Sequence, residues 1–225
     1  GMNVAIRNAN DAISLSQTAE GALSKINDMG QRMRELAVQS ANATNNETDR
    51  EALNQEYQAL AEEIKRNIAG TSFNGTKLFA TGAALTFQVG ANNATTDQIT
   101  ITTATMTGDT DLSNALGAMG ANAASAPGIS SFTFATDALG KLDTMLAKIN
   151  SKRAEFGAIQ NRFQAVIENL QVSAENQTAA RSRIMDADFA SETASLTRSQ
   201  VLQQAGTAML SQANSLPNNV LSLLR

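Results

Sequence analysis

Few residues in this chain could do chemistry. Glu62 and Glu63 are adjacent carboxylates, followed closely by Lys65 and Arg66. On a helix, acids with bases three places on form a solvated, mutually neutralising face rather than a general acid and base. Asp186-Ala187-Asp188 also pairs two carboxylates, but it lacks the spaced oxygen ligands of a calcium loop. It reads as surface or as a local helix interruption. Histidine is absent, which removes the Ser-His nucleophile, the HExxH zinc site and most imidazole metal sites. Cysteine is absent as well, so there is neither a disulfide framework nor thiolate chemistry. No glycine-rich phosphate loop occurs. We expect no enzyme, no cofactor and no metal, and turn to the elements that would have positioned such groups.

The chain has 225 residues, aromatics make up 4%, tryptophan is absent, and Pro127 and Pro217 are the two prolines. Ala, Leu, Gln, Asn, Ser and Thr dominate, which suits long helices with a thin apolar seam. The net charge is −4, with basic residues scattered among acidic ones, which argues against a nucleic-acid surface. No apolar run approaches the ~18 residues of a membrane span. No signal peptide is visible. Residue 1 is Gly, and the helical pattern is already under way at Val4 and Ile6. This reads as a chain whose N-terminal part is missing.

The stretch from Asp137 to Leu224 organises the rest. Between Ala158 and Ala205 there is no glycine or proline. As one helix that segment would be about 70 Å long at ~1.5 Å per residue. A heptad runs through it. Leu142, Ile149, Phe156, Phe163, Leu170 and Ile184 share a phase, with Gln177 as its polar member. Met145, Ile159, Val166 and Ala180 lie three places on, and Leu146, Ile167 and Ala174 four places on. Such a seam must meet other helices.

Residues 3–42 supply one. Ile6, Ala9, Ile13, Ser16, Leu23, Ile26, Met33 and Ala37 keep helical spacing. Gly30 sits mid-pattern, where it should cost roughly 1 kcal/mol against Ala; it is a tolerated flaw or a close helix contact. A polar turn, 42–47, leads to a helix over 48–69. Thr48 as N-cap and Glu51 would form its capping box, Leu53, Tyr57, Leu60, Ile64 and Ile68 its buried stripe, and Gly70 its end. The short turn makes these two helices antiparallel.

The middle, 71–136, changes period. Phe73-Asn74-Gly75-Thr76 carries an Asn-Gly hairpin signal. Residues 85–89 and 98–102 alternate and read as an antiparallel hairpin with one face on the helices. Leu112, Leu116 and Met119 suggest a short helix, and 131–134 a further short strand. The long helix then begins near Asp137, a plausible N-cap. The fold class is mainly α: an elongated antiparallel helical bundle or coiled coil with a small β-hairpin region and a C-terminal amphipathic helical tail.

From Ser199 to Leu224 there is no charged residue. Yet an apolar stripe continues through Leu202, Ala205, Met209, Ala213, Leu216, Val220 and Leu223. A solvated helix carries charges on its outer face, and a membrane-surface helix wants Lys or Arg there. An uncharged, amide-rich amphipathic helix fits burial among copies of itself, where charges would be costly to desolvate.

These runs resemble bacterial flagellin. The similarity is carried by Arg7-Asn8-Ala9-Asn10-Asp11, by the run from Gln31 to Asn42, and by Phe73-Asn74-Gly75. It continues in Gln160-Asn161-Arg162-Phe163, in Ala180-Arg181-Ser182-Arg183-Ile184, and in the ending from Val201 to Arg225. It covers nearly all of the chain outside residues 81–135. Against the family pattern, the N-terminal inner-tube helix that partners the tail is lacking and the middle is short. The resemblance implies an outer-tube rod domain over 1–180, with the variable middle inside it, and the C-terminal half of the inner-tube domain over 181–225.

The resemblance further implies a structural subunit that self-assembles into an extracellular helical filament used for motility. Export would use the flagellar type III apparatus without a cleaved signal. Implied partners are further copies, an export chaperone, filament cap and hook-junction proteins, and host flagellin-sensing receptors, with neither nucleic acid nor membrane insertion. By motif, a Toll-like receptor would contact Arg32, Leu36 and Glu56; Arg32 and Leu36, four apart, share one helix face. Leu202, Met209, Leu216, Val220, Leu221, Leu223 and Leu224 would serve assembly, the chaperone and cytosolic sensors. The alternative is a coiled-coil adhesin or secretion-tip type protein that binds a host or partner protein. A zinc-peptidase insert, carried by some flagellins, conflicts with the absence of histidine and the short middle.

Overall fold

The structure, a computed structural model, describes residues 1–80, 82–103, 105–117, 128–185 and 189–222, with only the backbone course from 215 onward. Two units are distinct, Gly1–Ala174 and Glu175–Arg225. In chain order the elements are helices α1 (Met2–Ser40) and α2 (Glu47–Gly70), strands β1 (Ser72–Phe73), β2 (Thr76–Lys77), β3 (Ala84–Gln88) and β4 (Gln98–Thr102), and helices α3 (Thr110–Leu116), α4 (Phe132–Met185) and α5 (Phe189–Ser222). Among the described residues no helix is long and apolar enough to cross a membrane.

The first unit is a bundle of α1, α2 and α4. Pairings between α1 and α2 run in opposite order along the two helices: Arg32 meets Glu56, and Arg50 reaches the Ser40 carbonyl. They are therefore antiparallel. The same holds for α1 and α4, where Arg34 pairs with Asp143 and Glu20 accepts from Gln160. Ala9, Ala12 and Ala19 of α1 are buried. Small side chains there let the helices approach closely. Gly30 belongs to the same device. A Cβ at Gly30 would lie 2.9 Å from Leu146 Cδ2 and 3.0 Å from Met145 Cε, so the close-contact reading of this glycine is the one realised.

Tyr57, Ile64, Ile68, Leu142, Met145, Ile149, Phe156 and Phe163 are buried with Leu23, Ile26, Met33 and Leu36 of α1. Leu53, Leu60, Ile159 and Val166 pack on this core half-buried, and Leu170 is half-buried too. The seam of α4 does not stay covered along its sequence length. Gln177 and Ala180 are exposed, and Ile184 is 80% exposed.

Several boundaries differ from expectation. The capping box of α2 is formed by Asn46 and Asp49, not by Thr48 and Glu51. Asn46 Oδ1 accepts from the Asp49 amide at 2.8 Å, and Asp49 accepts from the Asn46 amide at 3.2 Å. Either pair satisfies the box pattern, but Asn46 is the residue with extended backbone at the helix entrance. Residues 131–134 form no strand, and Asp137 is not the N-cap of α4. The helix begins at Phe132, with Ser131 Oγ accepting from the Phe134 amide at 3.2 Å. Asp137 sits inside the helix and pairs with Lys141. The alternation Phe132-Thr133-Phe134 resembles a strand, but both Phe side chains stay exposed and the hydroxyl cap decides the local structure.

The β elements match their sequence signals. Asn74 and Gly75 take positive φ values of 47° and 80° and join β1 to β2 in a two-residue turn. β3 and β4 pair antiparallel, with Leu85 opposite Ile101 and Phe87 opposite Ile99. Ile99 and Ile101 are buried, whereas Thr86 and Thr100 bond each other at 3.1 Å on the open face. Phe87 meets Phe163 of α4 edge-on at 5.8 Å, and Asn8 of α1 donates to the Gln88 carbonyl, so the hairpin packs on both helices. The expected short helix is α3, where Leu112 and Leu116 are buried, while Met119 lies outside the described residues.

The segment entering α4 is held by a buried polar latch. The Ile129 amide donates to Asn54 Oδ1 at 2.9 Å, and Ser40 Oγ donates to the Ile129 carbonyl at 2.5 Å. One residue is thus fastened to α1 and α2 at once. Asn54→Ala leaves the Ile129 amide buried without a partner, at about 1–3 kcal/mol. Urea denaturation should show the midpoint falling by that equivalent with an unchanged slope; an unmoved midpoint would reject the latch.

Candidate interaction surfaces

Each acid of the sequence-flagged carboxylate pair has its own base. Glu62 pairs with Lys65 at 3.3 Å. Glu63 accepts from Arg66 Nε and from Asn67 Nδ2, at 2.8 and 2.9 Å. The Arg66 hydrogen bonds hold the Glu63 carboxyl below its usual range. Both acids are thereby tied up as helix-face ion pairs. Among the described residues no three acids gather into a metal-holding cluster. Asp186 and Asp188 lie outside the described residues.

Two surfaces remain that could serve recognition. The first is on α1 and α2. Arg32 is half-exposed and fixed by two carboxylates, Glu56 across the helix pair at 2.8 Å and Glu35 one turn on at 3.0 Å. The hydrogen bond to Glu56, then that to Glu35, raises the Arg32 guanidinium further above its ordinary pKa. Arg32 and Glu56 are thus brought together. Leu36 is not on this surface: it is fully buried. The helix face it shares with Arg32 by spacing is therefore open at Arg32 and covered at Leu36. Spacing of four fixes azimuth on α1 but not how deep each side chain lies in the bundle. Sequence reasoning also missed neighbours of this surface. Glu35 was legible as an i,i+3 partner of Arg32. The Arg34–Asp143 pair, 2.7 Å apart, carried no local signal. A shallow groove lined by Gln31, Arg34, Val38 and Gln39 lies alongside.

The second surface is on α5. Val201, Leu202, Met209 and Leu210 are all more than half exposed. With Phe189, Ala194 and Arg198, the first two line an open, mainly apolar groove, and the charge-free stretch begins just beyond it at Ser199. Leu216, Val220 and Leu221 continue on the backbone of the same helix, with side chains that are not described; Leu223 and Leu224 lie outside the described residues. A contiguous apolar stripe of this length without charges marks an interaction surface.

Comparison with known proteins agrees with both halves of the chain. Residues 1–84 match the bacterial flagellin N-terminal helical region, and residues 139–224 the bacterial flagellin C-terminal helical region. A flagellin of Halalkalibacterium halodurans is 44% identical over all of this chain and 79% of its own length. The flagellar filament 31.3 kDa core protein of Treponema maltophilum is 37% identical over all of this chain and 80% of its own. The crystal structure of Bacillus cereus flagellin is 33% identical, covers 78% of this chain and 94% of its own, and superposes with a TM-score of 0.61. Both terminal helical regions, the helical bundle and the two hairpins lead to one assignment: the chain belongs to the bacterial flagellins, the structural subunits of the flagellar filament.

Proposed function

We propose that this subunit assembles through a division of labour between its two ends. Residues 1–180 act as the rod of the outer tube, with 71–136 as its variable middle. Residues 181–225 act as the C-terminal half of the inner tube. The observation that carries this is the exposed, charge-free stripe of α5. Its burial against neighbouring copies, head to tail and non-closing, generates a helix rather than a ring. Before assembly, an export chaperone covers the same stripe. The subunit leaves through the flagellar export apparatus without a cleaved signal and is received at the filament by cap and hook-junction proteins. In a host, Leu221, Leu223 and Leu224 serve cytosolic sensing.

The test is Leu202→Asp. Leu202 is 66% exposed, so the substitution should leave the thermal melt of the monomer unchanged. In a filament it would bury a carboxylate in an apolar seam. Seeded growth followed by electron microscopy should show filaments lost or at least ~tenfold fewer. Normal filaments from this variant would overturn the assembly role of the stripe.

The Arg32–Glu56 pair serves a Toll-like receptor, with Leu36 acting from beneath as packing. Arginine held in a fixed fork is a frequent anchor of binding hot spots. Arg32→Ala should cut receptor signalling by about tenfold, an effect of ~1.4 kcal/mol. Glu35→Ala, which leaves the Glu56 bond in place, should cut it less. Equal responses from wild type and Arg32→Ala would reject this role.

A further inference from the structure

Among the described residues the methionines range from buried to exposed, with Met2 and Met29 in between. Met33, Met106 and Met145 are buried in the first unit. Met185 and Met209 are exposed, and only Met209 stands inside the charge-free stripe of α5. It is seven residues on from Leu202, nearly the same azimuth on the helix. Its side chain is 71% exposed. Its neighbours on that face are the apolar Leu202, Ala205 and Ala213, together with Gln212, whose amide is the one side-chain donor among them.

We propose that Met209 is a redox-sensitive modification site that decides whether the subunit can assemble: a peroxide-class oxidant converts its thioether to the sulfoxide while the tail is free, and the oxidised tail cannot be buried between copies. This rests on the filament reading of the stripe given above. In the step, a sulfur lone pair attacks one peroxide oxygen. The O–O bond breaks as the S–O bond forms. The transferred hydroxyl gives its proton to the departing hydroxide, which leaves as water. Sulfur is oxidised by two electrons, and the peroxide is reduced.

The consequence is physical. A thioether is apolar and adaptable, whereas a sulfoxide is polar and a strong acceptor. In a seam made mostly of apolar side chains, burying that acceptor costs its desolvation. The change spares the buried Met33, Met106 and Met145, which are shielded from solvent, and the Met209→Leu control separates it from oxidation of the equally exposed Met185. It is reversible, because methionine sulfoxide reductases restore the thioether.

The experiment treats monomeric protein with hydrogen peroxide, maps sulfoxides by mass spectrometry, and follows seeded filament growth by light scattering. Met209 should be oxidised about tenfold faster than Met33 and Met145. Oxidised protein should extend seeds about tenfold more slowly, and methionine sulfoxide reductase should restore the rate. Met209→Leu, treated identically, should grow at its own untreated rate. Equal slowing in Met209→Leu would assign the effect to another residue and overturn the proposal. So would unchanged growth of wild type fully converted at Met209. Recovery by the reductase is read on wild type, so it stands even if the variant assembles poorly. Untreated protein that never extends seeds would instead overturn the filament reading, and this proposal with it.

Discussion

Phe163→Ala should lower the stability of the first unit by about 3–5 kcal/mol, the range for a fully buried aromatic truncated in a core. Phe163 is fully buried on the inner face of α4 and makes a T-shaped contact with Phe87 of β3, at 81° between ring planes. The substitution therefore opens a cavity and also unseats the hairpin that covers α1 and α4. A loss of that size is a large part of the ~5–15 kcal/mol available to a domain. Circular dichroism in urea should show it directly. Phe87→Ala should be milder, because Phe87 is only half-buried. The double variant should lose less than the sum, since the pair is worth about 0.5–1.5 kcal/mol beyond burial. A melt unmoved by Phe163→Ala would remove Phe163 from the core.

Alkaline unfolding should be driven in part by a single phenol. Tyr57 is the one tyrosine of the chain, and tryptophan is absent. It is fully buried, and its hydroxyl faces the Ala115 carbonyl at 3.4 Å. Burial, with a smaller push from Asp137, raises its folded pKa well above the ordinary value of 10.0. The sign follows from proton counting. Above pH ~10 the unfolded state loses this proton and the folded state keeps it, so stability falls as pH rises. The phenol's contribution is fully present below the unfolded pKa and is lost in the window up to the raised folded one. Each pH unit within that window costs about 1.4 kcal/mol.

Lys148 adds to the same trend. Its hydrogen bonds to Asp109 and Asp111 raise its pKa, and that stabilisation too is lost as pH rises. Because Tyr57 is the sole phenol, tyrosinate absorbance near ~295 nm reads it alone. We expect that absorbance to rise together with loss of helical circular dichroism. Tyr57→Phe should shift the alkaline midpoint upward relative to its own neutral stability. Ionisation at the ordinary tyrosine pKa with helicity intact would show that Tyr57 is solvated.

Local chemistry was legible in proportion to how much of it is closed within a few residues. The Asn74-Gly75 turn needs positive φ at both positions, and these residue types supply it. Strands β3 and β4 follow from strict alternation, and α1, α2 and α4 from helical spacing. Boundaries were read less well for the same reason. Residues 46–51 contain two overlapping capping boxes, and a pattern does not say which amide the chain presents. Phe132-Thr133-Phe134 alternates like a strand, and only the Ser131 hydroxyl bond settles it as helix.

The amino-acid sequence by itself determined that the protein is helical, free of imidazole and thiol chemistry, and built around seams that need partners. Composition and period suffice for that, because they are properties of each segment alone. Tertiary structure decided which parts of those seams are satisfied. The α4 heptad continues through Gln177 to Ile184, yet Leu142, Ile149, Phe156 and Phe163 are buried while Ile184 is exposed. Arg32 and Leu36 are equivalent by spacing, yet Arg32 is half-exposed in its ion pairs and Leu36 is fully buried. Burial is a property of pairs of elements, set by their register and length, and no single segment encodes it.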